Sequence, residues 1–137
     1  MIMIGRQEVF MRVLIAEDDF AGRKLLQKFL SQYGQCEIAV DGVEALDLFM
    51  ASIVDKKPFD LICLDVMMPK LDGITLLKMF RNLEKEKDCK ASKIIMITAL
   101  NDRDTVTQSY ENGCQAFAWK PIDLDKFRQV LEKLSLI

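Results

Sequence analysis

The sequence has 137 residues, a formal net charge of -2, and hydrophobic residues at half of its positions. A chain of this length favours one compact domain, and the composition excludes an intrinsically disordered protein. Acidic and basic residues are interspersed without a basic stripe, so we expect no direct binding of nucleic acid and no membrane insertion.

The chain begins with the segment MIMIGRQEVFM, which has one basic residue, Arg6, and no cleavage site of the kind that ends a signal peptide. We therefore expect a cytoplasmic location. The first predicted strand begins after this segment. We expect an N-terminal extension over residues 1–11 and a folded domain over residues 12–137.

Short apolar runs rich in β-branched residues predict five strands, at 13–16, 36–40, 61–64, 94–97 and 116–119. The segments between and after them have helical periodicity, although the segment near 102–112 has only Val106 and Tyr110 as strong apolar positions. Gly34 and Gly113 lie where helices are predicted to end. Strict alternation of strand and helix predicts an α/β fold with a five-stranded parallel sheet covered by helices on both faces.

Polar residues follow four of the five predicted strands. In chain order they are Glu17 and Asp18, then Asp65, then Thr98, then Lys120. Each taken alone has an ordinary interpretation as a helix cap, a turn residue or a surface charge. Together they favour a binding site, because ligands of an open parallel sheet gather outside the carboxyl ends of its strands.

The residue types in this set predict phosphoryl chemistry. Carboxylates that converge at one sheet edge repel each other, and a hard divalent cation such as Mg²⁺ relieves the repulsion through oxygen ligands. The ammonium of Lys120 and the hydroxyl of Thr98 are suited to phosphoryl oxygens. An acidic nucleophile, a cation, an ammonium and a hydroxyl together indicate phosphoryl transfer to a carboxylate.

Histidine is absent and the four cysteines form no C-x-x-C pair. Histidine-dependent nucleophilic catalysis is therefore excluded, and we expect no zinc site. We expect the cysteines to be reduced thiols that mostly pack in the interior.

Four segments carry a family resemblance: VLIAEDD, DLICLDVMMPKLDG, IIMITAL and AFAWKP. In this order and at this spacing they resemble a response-regulator receiver domain of the CheY-like type, in a stand-alone, single-domain form. The resemblance implies a flavodoxin-like fold with strand order 2-1-3-4-5 over residues 12–137. It also makes the Lys120–Pro121 bond a candidate for a cis peptide.

The resemblance implies that Asp65 is the phosphoacceptor. It implies that Glu17, Asp18, Asp65 and the backbone carbonyl of Met67 hold Mg²⁺ or Mn²⁺. Asp19 lies outside this acidic pair, and we expect it to start the first helix.

The resemblance further implies that Thr98, Ala99 and Lys120 contact the phosphoryl group. Thr98 and Phe117 are the expected switch residues: Thr98 shifts toward the phosphate and Phe117 turns inward. A sensor histidine kinase or a histidine phosphotransfer protein would donate the phosphoryl group, and helix 4, strand 5 and helix 5 would form the surface that controls a downstream protein. The chain would thus be a phosphoacceptor switch, not an enzyme.

Three points remain open in the sequence. The apolar residues Met67 and Leu100 flank the expected phosphoryl position, and we predict a long-lived phosphoaspartate because neither can orient a water. Trp119 is either a packing residue on the side of Phe117 or an aromatic anchor on the partner surface. The chain acts either as a terminal output or as a phosphorelay intermediate that passes the phosphoryl group to another histidine protein.

Two other classes of protein fit the sequence less well. A flavodoxin-like cofactor carrier needs a phosphate-binding loop after the first strand, where this chain has three acidic residues. A haloacid-dehalogenase type hydrolase needs a D-x-D motif at the same place, and the segment EDDF lacks that spacing.

Overall fold

The structure is a computed structural model that describes residues 10–137. The expected N-terminal extension lies outside the described residues, apart from Phe10 and Met11, and Met11 is already the first residue of a strand. None of the helices within the described part is both long and apolar enough to cross a membrane.

Within residues 10–137, five strands alternate with five helices, as the sequence predicts. Their bounds are β1 Met11–Ala16, α1 Phe20–Leu30, β2 Gly34–Ala39, α2 Gly42–Val54, β3 Leu61–Asp65, α3 Gly73–Glu86, β4 Lys93–Thr98, α4 Arg103–Glu111, β5 Ala116–Trp119 and α5 Leu124–Lys133. The strands form one parallel sheet in the order β2-β1-β3-β4-β5, which confirms the predicted topology.

The sheet is buried on both faces because each central strand sends alternate apolar side chains to opposite sides. In β1, Leu14 packs into a cluster with residues of α2 and α3. Its neighbours Val13 and Ile15 pack on the other face with residues of α1 and α5. The nearly continuous apolar runs of the sequence therefore belong to two separate cores.

An aspartate caps the N-terminus of each helix by accepting a hydrogen bond from a backbone N–H group of the first turn. These aspartates are Asp19, Asp41, Asp72, Asp102 and Asp123. The expectation that Asp19 starts α1 is confirmed. Because helices follow the carboxyl ends of the strands, the capping aspartates add acidic charge to that edge of the sheet.

Two boundary predictions were wrong. Gly34 does not end a helix: it begins β2, where a Cβ atom would lie 2.1 Å from the carbonyl oxygen of Met11. Val40 lies outside β2 and is exposed. Gly113, by contrast, has a φ of 100° directly after the C-cap of α4, so its predicted role as a helix stop is confirmed.

Candidate functional site

The register of the sheet places the predicted polar residues at one edge. Ala16 pairs with Leu64, so the next residues along, Glu17 and Asp65, are neighbours across β1 and β3. Asp65 pairs with Ile97, which puts Thr98 beside it at the end of β4. Lys120 follows β5 at the same edge. Residues far apart in the chain meet here because parallel strands end together.

Glu17, Asp18 and Asp65 form an acidic cluster. One carboxylate oxygen from each residue lies within 4.8 Å of the others, while Glu17 and Asp65 are buried and Asp18 is exposed. Asp19 is turned away to cap α1, with its side chain accepting a 2.8 Å hydrogen bond from the N–H of Gly22. Two of three consecutive acidic residues therefore face the cluster, and the third stabilises a helix.

Lys120 donates to both buried acids. Its ammonium lies 2.5 Å from Glu17 Oε1 and 2.8 Å from Asp65 Oδ2. Burial alone would lower the pKa of Lys120, but the bonds to Asp65 and Glu17 outweigh it and raise that pKa. Lys120 is therefore a permanent positive charge at the site. The Lys120–Pro121 peptide bond is cis, which confirms that candidate.

The pKa of Glu17 is strongly raised by its surroundings. Burial and the adjacent Asp65 raise the pKa of Glu17 to about 8 against the lowering effect of Lys120. Its second oxygen, Oε2, is buried without a hydrogen-bond partner among the described residues. An unpaired buried carboxylate oxygen is costly, and a coordinated cation would satisfy it. The acidic cluster thus fits a hard divalent cation, with the exposed Asp18 leaving room for water or phosphate oxygens.

The loop after β3 shapes the surroundings of Asp65. The N–H of Met67 donates a 3.0 Å hydrogen bond to Asp65 Oδ1, while the Met67 side chain is 59% exposed. Gly73 begins α3 directly against this loop, where a Cβ atom would lie 2.3 Å from the carbonyl oxygen of Asp65. This close approach explains why a side chain does not fit at Gly73.

Thr98 and its neighbours line the other side of the site. The Thr98 hydroxyl oxygen accepts a 3.0 Å hydrogen bond from the N–H of Leu100, and Thr98 is buried. Ala99 is exposed beside it. The side chain of Thr98 therefore holds the start of the β4–α4 loop in this conformation.

Phe117 and Trp119 lie on the same side of β5, as period two predicts. Their rings are 4.9 Å apart between centroids and tilted by 47°. Phe117 is buried, whereas Trp119 is 46% exposed. Trp119 thus packs on Phe117 with one face and offers the rest of its surface to solvent. The Phe117 side chain packs in the apolar cluster that also contains residues of α2 and α3.

Arg23 is a contributor to the site that sequence reasoning missed. Its guanidinium donates to the backbone carbonyl oxygens of Glu17 and Asp18, at 3.0 and 3.2 Å. This contact fixes the chain segment that presents the two acids. An arginine one helical turn after an acidic turn is a weak signal in sequence, because its partners are backbone atoms.

All four cysteines are free thiols, and Cys63 and Cys114 are buried. Burial raises the pKa of the Cys63 and Cys114 thiols, so both stay protonated at neutral pH. This agrees with the expectation of packing thiols.

A family model and individual related proteins identify the same family for this chain. Residues 13–132 match the response regulator receiver domain. Sporulation initiation phosphotransferase F of Bacillus subtilis is 32% identical over 123 residues, which cover 89% of this chain and 91% of that protein. The probable C4-dicarboxylate response regulator DctR of the same organism is 34% identical over 125 residues. The match covers 89% of this chain and about half, 51%, of DctR.

Solved structures agree with the sequence matches. The CheX–CheY–BeF₃–Mg²⁺ complex from Borrelia burgdorferi matches with a TM-score of 0.77 and 31% identity, covering 91% of this chain and 89% of that one. The receiver domain of the histidine kinase CKI1 from Arabidopsis thaliana, complexed with Mg²⁺, matches with a TM-score of 0.80 and 27% identity over 90% and 91% of the two chains. With its predicted strand order and acidic cluster in place, this chain belongs to the response regulator receiver domain family.

Proposed function

We propose that this chain accepts a phosphoryl group on Asp65 from a phosphohistidine of a sensor histidine kinase or a histidine phosphotransfer protein. The observation that carries the proposal is the acidic cluster with its unpaired Glu17 oxygen, held beside Asp65 and Lys120. Glu17, Asp18, Asp65 and the carbonyl of Met67 would hold Mg²⁺ or Mn²⁺. When bound, the cation supplies charge neutralisation for the carboxylates and the phosphoryl oxygens.

In the reaction, a carboxylate oxygen of Asp65 attacks phosphorus. The P–N bond of the donor breaks, its electron pair returns to the imidazole, and that nitrogen takes up a proton. Lys120 already contacts Asp65 Oδ2 and can transfer its hydrogen bond to a phosphoryl oxygen. Thr98 and the backbone at Ala99 lie at the end of β4 beside Asp65, where they can bind another oxygen.

A cavity next to Glu17 and Lys120 gives the phosphohistidine donor a route to the site. A cavity of about 500 Å³ lies between the start of α1 and the β5–α5 connection. Glu17, Lys120, Leu25, Pro121 and Ile122 contribute to its lining. This combination of an apolar wall with the charged site at its end suits a helix that presents a phosphohistidine.

The switch would transmit phosphorylation to the surface of α4, β5 and α5. The Thr98 hydroxyl would leave the N–H of Leu100 for a phosphoryl oxygen, which frees the start of the β4–α4 loop. The position of the Phe117 ring beneath Trp119 would then determine how Trp119 is presented to a downstream protein. Trp119→Ala should weaken binding of that protein while the melting temperature changes little, because half of the side chain is in solvent.

A relay role is the second candidate. The near full-length similarity to a protein named a phosphotransferase supports it. In that role the phosphoryl group would leave Asp65 for a histidine of another protein instead of controlling a target directly. Incubating the phosphorylated chain with a purified histidine phosphotransfer protein distinguishes the two, since only a relay returns phosphate to histidine at a rate above spontaneous hydrolysis.

The decisive experiment is intact-mass analysis after incubation with Mg²⁺ and acetyl phosphate. Wild-type protein should gain one acid-labile phosphoryl group. Asp65→Asn should gain none, and Asp19→Asn, which keeps a good helix cap, should behave as the wild type. Absence of an adduct on the folded wild-type protein would overturn the proposal.

A further inference from the structure

The turn between β1 and α1 holds its two cluster acids in unequal ways. Glu17 is buried: its N–H donates a 3.0 Å hydrogen bond to the carbonyl oxygen of Ala39, and its side chain accepts from Lys120. Asp18 is exposed, and among residues 10–137 its one hydrogen bond is the one that its carbonyl oxygen accepts from Arg23. The position of the Asp18 carboxylate in the cluster therefore depends on the backbone of this turn.

Arg23 joins this turn to the first part of α1. One terminal nitrogen of its guanidinium donates to the carbonyl oxygens of both acids, at 3.0 Å for Glu17 and 3.2 Å for Asp18. The guanidinium carbon also lies over the ring of Phe20, 5.5 Å from the ring centroid. Both hydrogen bonds go to backbone oxygens, so they do not use the carboxylate oxygens that a cation needs.

The hydrogen bonds and the charge of Arg23 have opposite effects on a cation at the acidic cluster. A positive charge near the cluster repels Mg²⁺. Hydrogen bonds that hold the ligands in place favour Mg²⁺, because less ordering remains to be done when it binds. Lys24 separates the two effects. Its ammonium lies 5.7 Å from the centroid of the same Phe20 ring, but within the described residues it bonds to neither carbonyl oxygen.

We propose that Arg23 is a positioning residue for the divalent cation, because its two bonds to carbonyl oxygens hold the Asp18 carboxylate at the cluster. The inference rests on the proposed cation-dependent phosphorylation of Asp65 and adds a determinant of cation affinity outside the ligand set. Within residues 10–137, no hydrogen bond joins Arg23 to Asp65 or Lys120. Arg23 therefore acts on the binding of the cation and not on the phosphoryl transfer that follows.

The test is isothermal titration calorimetry of the full chain with Mg²⁺ alone. Arg23→Met removes both hydrogen bonds and should weaken Mg²⁺ binding by about 10- to 100-fold, the usual effect of losing a partner that orients a metal ligand. Arg23→Lys should give an intermediate affinity, since its shorter side chain keeps a donor for one carbonyl oxygen. Lys24→Met, which removes the same charge from the next residue, should not weaken binding.

Two results of the titration would overturn the proposal. If Arg23 acts through its charge, Arg23→Met should bind Mg²⁺ more tightly than the wild type, because a repelling charge is gone. Equal affinities of Arg23→Met and Lys24→Met would also contradict a positioning role. Thermal melting in EDTA shows whether each variant folds, and Arg23→Lys carries the test if Arg23→Met does not fold.

Phosphorylation by acetyl phosphate separates this inference from the proposed function. Arg23→Met should need more Mg²⁺ for the half-maximal rate, yet it should reach the wild-type rate at saturating Mg²⁺. A rate that stays low at saturation would mean that Arg23 does more than position the cation, and would overturn the proposal. A wild type that binds Mg²⁺ in an Arg23-dependent way but gains no phosphoryl group would refute the proposed function and support this inference.

Discussion

Two clusters of buried charge lie at opposite edges of the sheet. The edge cluster, Glu17, Asp65 and Lys120, lies at the carboxyl ends of the strands. The α3 cluster, Arg81 and Glu84, lies near the start of β4, where Glu84 Oε2 accepts a 2.8 Å hydrogen bond from the N–H of Ser92. Each cluster joins elements that are distant in sequence, but they differ in how completely their charged groups are paired.

In the α3 cluster the charged groups are all paired, although the buried hydroxyl of Ser92 beside them has no partner among the described residues. Arg81 pairs with Glu84 Oε1 at 2.6 Å and also donates to the carbonyl oxygen of Gly113 and to Gln115. Both oxygens of Glu84 therefore have partners. The edge cluster keeps a buried oxygen of Glu17 unpaired and a pKa for Glu17 raised by burial and by Asp65.

This difference in pairing indicates different roles. The paired charges of the α3 cluster support the fold, whereas the unpaired oxygen of the edge cluster is suited to a ligand. A network whose charges are all paired stabilises the fold, because each desolvated charge is compensated within the protein. An incomplete network costs stability until a ligand completes it, which is typical of functional sites. Variants of the two clusters, and the response of each to Mg²⁺, test this contrast.

Glu84→Ala should lower the free energy of unfolding by about 3 to 5 kcal/mol, because it leaves the Arg81 guanidinium and the N–H of Ser92 without their buried partner. Urea denaturation measures the change. Glu86→Ala, at an exposed position on the same helix, is the control and should have little effect. A loss below about 1 kcal/mol would show that the α3 cluster is not structural.

Mg²⁺ should stabilise the wild-type protein by about 2.7 kcal/mol at a concentration 100 times its dissociation constant. Asp65→Asn should lose most of this gain, because the cation then has fewer carboxylate ligands. Asp19→Asn should retain it, since Asp19 caps α1 instead of facing the cluster. Equal stabilisation of both variants in thermal melts would place the cation elsewhere.

Replacing Met67 and Leu100 with asparagine should shorten the lifetime of the phosphoaspartate about tenfold, which corresponds to about 1.4 kcal/mol. The reason is that a polar side chain beside the phosphoryl group can orient the attacking water, whereas the native apolar side chains cannot. Loss of the phosphoryl group over time by intact mass measures the rate. Met50→Asn is the matched control. Rapid decay of the wild type that both replacements leave unchanged would contradict the prediction.

In the absence of divalent cations, Asp65→Asn should keep or slightly increase stability, by up to about 1 kcal/mol. Removing one carboxylate relieves its repulsion with Glu17, and Lys120 keeps its bond to Glu17. The expected change in the free energy of unfolding is therefore opposite in sign to that of Glu84→Ala. Destabilisation of the same size as in Glu84→Ala would mean that the edge cluster serves the fold rather than a ligand.

Much of the fold was predictable because it depends on short-range patterns. Apolar runs of four or five residues located all five strands, and α4 formed despite having only Val106 and Tyr110 as strong apolar positions. The role of Gly34 could not be predicted from the local sequence. A glycine is needed there because the backbone of Met11 on the adjacent strand leaves no room for a side chain. A glycine required by a close approach has the same local sequence signature as a helix stop.

The candidate site was predictable as a set of residue types at strand ends, and its roles remain proposals to be tested by phosphorylation. The Arg23 contacts were not predictable, since their partners are backbone carbonyl oxygens. The α3 cluster was also hidden. Arg81 and Glu84 are three residues apart, but their other hydrogen-bond partners, at Ser92, Gly113 and Gln115, come from distant parts of the chain.

Short-range sequence patterns specify the order of the elements and which strands end in acids, a hydroxyl or a lysine, because these depend on neighbouring residues. Only the folded sheet establishes which acids face each other and which oxygen of Glu17 is left without a partner. Lys120 reaches Glu17 across 103 positions of the chain. This contact depends on the packing of the whole sheet. Glutamate and lysine are usually surface residues, but here the sheet brings them together in a buried site whose charges are incompletely paired.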